Sequence, residues 1–117
     1  MRAFWFILMS DSQVVFRRAR LEDVSALNDL EQAAFSGDRL SRRRLRHWVQ
    51  ASNAVLLVVE KDEQLLGYAL ALLHRGTRLA RLYSIAISAN ARGMGLGRKL
   101  LLALEKEVAD LGWLFMR

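Results

Sequence analysis

No cysteine occurs among the 117 residues of this chain, which removes disulfides, thiolate catalysis and thiolate metal ligation in one step. Histidine is nearly as scarce. His47 and His74 lie too far apart in sequence to suggest a metal site by spacing, so no metal is expected. A reducing cytoplasm suits a chain without cysteine and is the expected compartment. Low-complexity sequence is also absent, and a hydrophobic fraction of 53% argues for a folded globular protein rather than a disordered one. The apolar opening, Met1 to Met9, is only about half the length that spans a bilayer. It has one arginine and no small-residue cleavage site before Asp11, so it is a poor signal peptide and no membrane partner is expected. Residues 1–12 are read as an N-terminal extension, most simply an upstream start with Met9 opening the domain proper. Residues 13–117 make one domain, large enough for a core with little to spare.

Charge is not concentrated in a tail. The net charge is +6 and the isoelectric point near 10.7. Residues 1–50 and 51–117 each carry nine basic and six acidic side chains, so the excess belongs to the folded surface. Such a surface suits nucleic acid, an anionic membrane, an acidic substrate or a phosphate-rich ligand.

Hydrophobic patterning divides the chain into short elements. Gln13 to Arg18 reads as a strand. A helix begins near Leu21, with Glu22 and Asp23 complementing its dipole and Val24, Leu27, Leu30 and Ala34 forming an apolar stripe, although no good N-cap precedes it. Phe35 to Asp38 is a loop. Ser41 is the expected N-cap of a second helix, with Leu40 and Leu45 at the spacing of a hydrophobic staple and Leu45, Trp48 and Val49 toward the core. Arg42, Arg43, Arg44, Arg46 and His47 fall on its outer side. They read as a solvated face or as the recognition helix of a helix-turn-helix, the second being disfavoured by the strands that follow. Val55–Val59, Leu65–His74 and Leu79–Ser88 are three strands in an antiparallel meander. On the last of them Arg81, Tyr83, Ile85 and Ile87 are expected on one face, and Ala80, Ser84, Ala86 and Ser88 on the other. Glu60 and Glu63, at a strand end and a turn, read as solvated.

The stretch from Ser84 to Leu104 carries the chemistry. It runs from an apolar strand through a glycine-rich turn into a helix with Leu100, Leu101, Leu104, Val108 and Leu111 on its buried side and Gly112 as its stop. A helix N-terminus presents unpartnered N–H groups and the positive end of the macrodipole, which suits a phosphate. The spacing excludes two familiar loops. Arg98 stands where a dinucleotide-binding G-x-G-x-x-G needs its third glycine, and Gly97 is not followed by the Lys-Ser/Thr of a Walker loop. Arg92-Gly93-Met94-Gly95-Leu96-Gly97 instead fits [RQ]-x-x-G-x-[GA]. Placed after a strand ending Ile85-Ala86-Ile87, it resembles the acetyl-CoA loop of the GNAT N-acetyltransferases, in particular the branch that acetylates bacterial ribosomal proteins at their N-terminal alanine.

The resemblance covers roughly Val14 to Met116 and implies a mixed, mainly antiparallel α/β (α+β) sheet flanked by helices, ending after the start of its fifth strand. It implies acetyl-CoA as co-substrate. Ile85 and Ile87 match the strand that pairs with the pantetheine arm, and Arg92, Gly93, Met94, Gly95, Leu96, Gly97 and Arg98 match the pyrophosphate cradle. The acceptor would be an amine on a protein N-terminus or a small molecule, with the first two helices and their loop bordering its site, where the arginines would favour an acidic substrate. No catalytic residue is assigned. The family's fifth-strand glutamate and following tyrosine have no counterpart within this sequence, the fourth strand has no carboxylate between Leu79 and Asn90, and Tyr83 and His74 read as a core aromatic and a strand-end histidine. The chain alone is therefore expected to be marginally stable, to bind acetyl-CoA weakly without turnover, and to associate as a homodimer through an exposed sheet edge. A non-catalytic acyl-CoA binding module and a small basic nucleic-acid binder are the other two readings.

Overall fold

The apolar run that begins at Ala54 is the reason this protein has a core on each side of its sheet. In the computed structural model, which describes residues 14–116, the run forms strand β2 (Ala54–Lys61), whose first six residues are all buried. Successive side chains on a strand point to opposite faces. Val55, Leu57 and Val59 accordingly enter one apolar cluster, and Ala54, Leu56 and Val58 another. Helices α1 (Val24–Ala34) and α2 (Arg42–Gln50) cover the second cluster, while α3 (Leu96–Asp110) covers the first. The extension assigned to residues 1–12 and the Gln13 start of the first strand lie outside the described residues.

Strand order in the sheet follows the sequence: β1 (Val15–Arg18), β2, β3 (Gln64–His74), β4 (Leu79–Ile87) and β5 (Leu114–Met116). The first three pairings are antiparallel and the β4–β5 pairing is parallel, giving the mixed, mainly antiparallel α+β sheet expected from the sequence. β5 meets β4 only from Leu79 to Arg81, so among the described residues Leu82 to Ile87 have no strand on that edge. No helix among the described residues is long and apolar enough to cross a membrane.

A bulge changes which residues of β4 face which core. Leu70 pairs with Ser84 but Ala71 with Leu82, so Tyr83 is an extra residue in the ladder. Ala80 and Leu82 therefore share the α3 side with Ile85 and Ile87, whereas Ala86 packs on the α1 side, where Ser84 bonds Tyr68. The uninterrupted alternation expected from Leu79 to Ser88 is wrong for this reason. Tyr83, read as a core aromatic, is 47% exposed.

The helix without a recognisable N-cap begins with a 3-10 turn, Leu21–Asp23. Asp23 closes it from three residues on, accepting the Arg20 N–H at 2.7 Å and a two-pronged contact from the Arg17 guanidinium at 2.8 and 3.0 Å. Arg17 also donates to Glu60, so Glu60 is ion-paired rather than solvated. Ser41 caps α2 as expected, its Oγ accepting the Arg44 N–H at 3.1 Å, and Leu40 and Leu45 are both buried. α3 stops before Gly112, whose φ of 90° suits the residue after a helix. Leu111 is 47% exposed because it is already the cap, outside the buried stripe of Leu96, Leu100, Leu104 and Val108.

Two expected outcomes follow from these contacts. Burial works to raise the Asp23 carboxyl, but the Arg17 guanidinium and the Arg20 N–H outweigh it and hold the carboxyl below its ordinary value. A depressed folded-state pKa stabilises the fold above the unfolded value of about 3.9, and that contribution is lost as pH falls through the lower folded value. The stability difference between the parent protein and Asp23→Asn should be largest at neutral pH and shrink as pH falls below about 4 in urea titrations. A constant difference across that range would refute the assignment. Gly67 gives the second. A Cβ there would lie 2.6 Å from Ile87 Cδ1 and 2.9 Å from the Ala86 carbonyl oxygen. Gly67→Ala should cost about 1–3 kcal/mol in denaturant unfolding, because Ile87 and the backbone of β4 must both shift.

Candidate active site

The last turn of β4 hands over to α3 through a loop whose apolar side chains point inward. Ser88 ends the strand with its N–H on the Leu66 carbonyl at 2.7 Å, and its Oγ accepts the Asn90 N–H at 3.2 Å to start a short 3-10 turn, Ala89–Ala91. Ala91 and Leu96 are buried and Met94 is half-buried against the α3 core, whereas Asn90 and Arg92 of the loop and Arg98 in the first turn of α3 are exposed. Met94 and Leu96 are thereby limited to what their backbone presents.

The glycines have different tasks. Gly93 and Gly95 have φ of 86° and 66°, left-handed conformations that other residues adopt reluctantly. A Cβ at either would meet nothing within 4 Å, so the outer side of the loop is open. Gly97 has no positive φ, and a Cβ on it would merely touch Ile87 Cγ1 at 3.9 Å. Gly95 is the N-cap of α3, and the first bond of the helix ladder runs from the Lys99 N–H to the Gly95 carbonyl at 3.3 Å. The N–H groups of Leu96, Gly97 and Arg98 precede that bond, as the first donors of a helix do.

A cleft of about 700 Å³ lies between α1 and the end of β4, and its lining reaches the loop at Asn90 and Arg92 but stops short of Gly93 to Arg98. Ile85, Ile87 and Arg92 line it, together with Asp29 and Ala33 of α1. A second cavity of about 360 Å³ lies beside it, lined by Glu31, Phe35, Arg39, Arg44, Tyr83 and Ser84 among others. Phe35 borders both, so the two spaces adjoin at that residue.

The family model of the Acetyltransferase (GNAT) family matches residues 22–115. The chain belongs to that family. Solved structures with the same fold include the ribosomal-protein-S18-alanine N-acetyltransferase of Escherichia coli, at 21% identity and a TM-score of 0.75, covering 86% of this chain and 63% of that one. A ribosomal-protein-alanine N-acetyltransferase from Brucella melitensis matches at 27% identity and a TM-score of 0.68, covering 82% of this chain and 67% of that one. The PaiA N-acetyltransferase of Thermoplasma acidophilum, determined with coenzyme A, matches at 17% and 0.74, covering 86% and 75% respectively. This chain thus spans less than two thirds of the E. coli enzyme. A search of curated protein sequences finds no match.

Within this GNAT fold the sequence reading missed a buried polar group. Glu31 is 1% exposed, and one of its carboxylate oxygens accepts the Tyr68 hydroxyl while the other accepts the Leu40 N–H at 2.7 Å. Tyr68 Oη in turn lies 2.7 Å from Ser84 Oγ at the edge of the smaller cavity. Burial first, and the hydrogen bond to Glu31 after it, push the Tyr68 phenol above its ordinary value. The signal was present in the sequence: Glu31 falls on the apolar stripe of α1, four residues after Leu27. His74 is exposed at the end of β3, as expected.

Proposed function

We propose that this chain binds acetyl-CoA in the larger cleft and directs its acetyl group to an amine entering from the smaller one. The observation that carries the reading is the loop: two left-handed glycines and the first turn of a helix follow directly on Arg92, where the lining of a cleft along Ile85 to Asn90 ends. The N–H groups of Leu96, Gly97 and Arg98 would hold the pyrophosphate, assisted by the exposed cations of Arg92 and Arg98. Ile85 and Ile87 would offer the pantetheine arm the unpaired β4 edge.

Acetyl-CoA, when bound, supplies an electrophilic thioester carbonyl. The protein's part is to align an amine with it and exclude competing water. An α-amine has a pKa of about 8, so a protein N-terminus needs only a modest base. β4 carries no carboxylate from Leu79 to Ile87, and this favours a second reading, acyl-CoA binding without transfer. Calorimetric titration with CoA and with pantetheine tests the cradle. CoA should bind at least about tenfold more tightly, since pantetheine lacks the phosphates. Equal affinities would sink the pyrophosphate assignment. Thiol release from acetyl-CoA in the presence of a peptide panel then separates transfer from binding alone.

A further inference from the structure

Between Asp38 and Gln50 the chain carries Arg39, Arg42, Arg43, Arg44 and Arg46 against the single acidic residue Asp38. All five arginines are exposed, and two of them line the smaller cavity. They are held differently. Arg39 is tied down at the C-terminal end of α1, its guanidinium donating to the carbonyls of Phe35 and, at 3.3 Å, of Gln32. Arg42 donates to Ser25 Oγ at 3.0 Å. Arg44 has its backbone N–H fixed by Ser41, and none of the hydrogen bonds or ion pairs among the described residues engages its guanidinium.

Two carboxylates, Glu31 and Asp38, line the same cavity, and the first is buried and hydrogen-bonded. Both oxygens of Glu31 accept hydrogen bonds, one from Tyr68 and one from Leu40, and the second of these pins the loop that carries Arg39. Asp38 is exposed at the rim. The concave site thus presents a fixed guanidinium, an uncommitted one, the exposed Asp38 carboxylate and the side chains of Phe35 and Tyr83.

We propose that this cavity selects acceptors whose amine is followed by acidic residues, so that the acceptor is the N-terminus of an acidic peptide. The inference rests on the acetyltransferase reading, in which the amine lies where the two cavities adjoin at Phe35. The residues after the amine then lie against Arg39 and Arg44. A peptide fits better than a compact amino acid, because exposed arginines extend outside the cavity on α2, where Arg42 to Arg46 span about 6 Å at 1.5 Å per residue. Long-range attraction from such a patch also steers acidic chains toward the site and weakens with salt.

Seven-residue peptides sharing one sequence, with Glu, Gln or Lys at positions two to four, test this by calorimetry, with and without CoA present. The acidic peptide should bind at least about tenfold more tightly than the glutamine peptide, and the lysine peptide least tightly. Arg44→Glu should remove or reverse that order while leaving CoA affinity unchanged. Equal affinities across the three peptides, or an unaltered preference in Arg44→Glu, would overturn the proposal. Free aspartate binding as tightly as the acidic peptide would overturn the peptide assignment, and duplex DNA displacing the peptide with a steeper salt dependence would give the patch to nucleic acid. Peptide selectivity measured without CoA reads the arginine site alone. Failure of CoA to bind would therefore count against the acetyltransferase reading separately.

Discussion

Gly95→Glu should lower the affinity for CoA by at least about tenfold, equivalent to about 1.4 kcal/mol, in a protein that remains folded. Two effects contribute, and they are separable. Gly95 has φ 66° and ψ 25°, a left-handed conformation that disfavours a β-carbon by about 1–2 kcal/mol. Strain of that size acts on stability whether or not a ligand is present. The carboxylate acts on binding: nothing lies within 4 Å of the Cβ position, so the new side chain extends into the open side of the loop, where the proposed pyrophosphate lies. Asn tolerates the left-handed region better than most residues and adds no charge. Gly95→Asn should therefore keep most of the CoA affinity that Gly95→Glu loses. Calorimetry on both variants, after thermal melts confirm folding, makes the comparison. Similar losses in the two would assign the effect to loop geometry and remove the charge argument.

The loop was legible in the sequence because its information is local. Arg92 to Gly97 are consecutive, the strand before them is apolar, the helix after them carries a regular apolar stripe, and the stop at Gly112 is a single residue. The two-sided core was legible for a similar reason, since Val55 to Val59 has no polar alternation and must be covered on both faces. Spacing alone did not sort the glycines. Gly93 and Gly95 need positive φ, whereas Gly97 sits in α3 with ordinary geometry. The bulge at Tyr83 was not legible. It arises from the pairing of β3 with β4, a relation between residues more than ten apart, and one extra residue exchanged the faces of everything beyond it. Glu60 was misread for the same reason, because its partner Arg17 lies 43 residues away on a neighbouring strand. Glu31 lies between the two cases. A charge on an apolar stripe announces a buried partner, and only the fold reveals that the partners are Tyr68 and Leu40.

Glu31→Ala should destabilise the protein by about 2–4 kcal/mol, the largest single-residue effect expected outside the apolar core. The Leu40 N–H would be left buried without its acceptor, and a cavity would open beneath the loop between α1 and α2. Tyr68 has a second partner in Ser84, so its hydroxyl can turn there and soften the loss. Because burial keeps that phenol protonated, its role toward Glu31 is to donate, and Tyr68→Phe would leave one carboxylate oxygen unpaired in an apolar surrounding. Glu31→Ala combined with Tyr68→Phe should therefore cost less than the two single changes added together, by about 1 kcal/mol or more. Urea denaturation of the four proteins measures the coupling, and amide exchange at Leu40 should accelerate in both variants that lack Glu31. Strict additivity with unchanged exchange at Leu40 would mean that the carboxylate does not hold the loop. Arg39 would then owe its place at the cavity to the carbonyls of Phe35 and Gln32 alone.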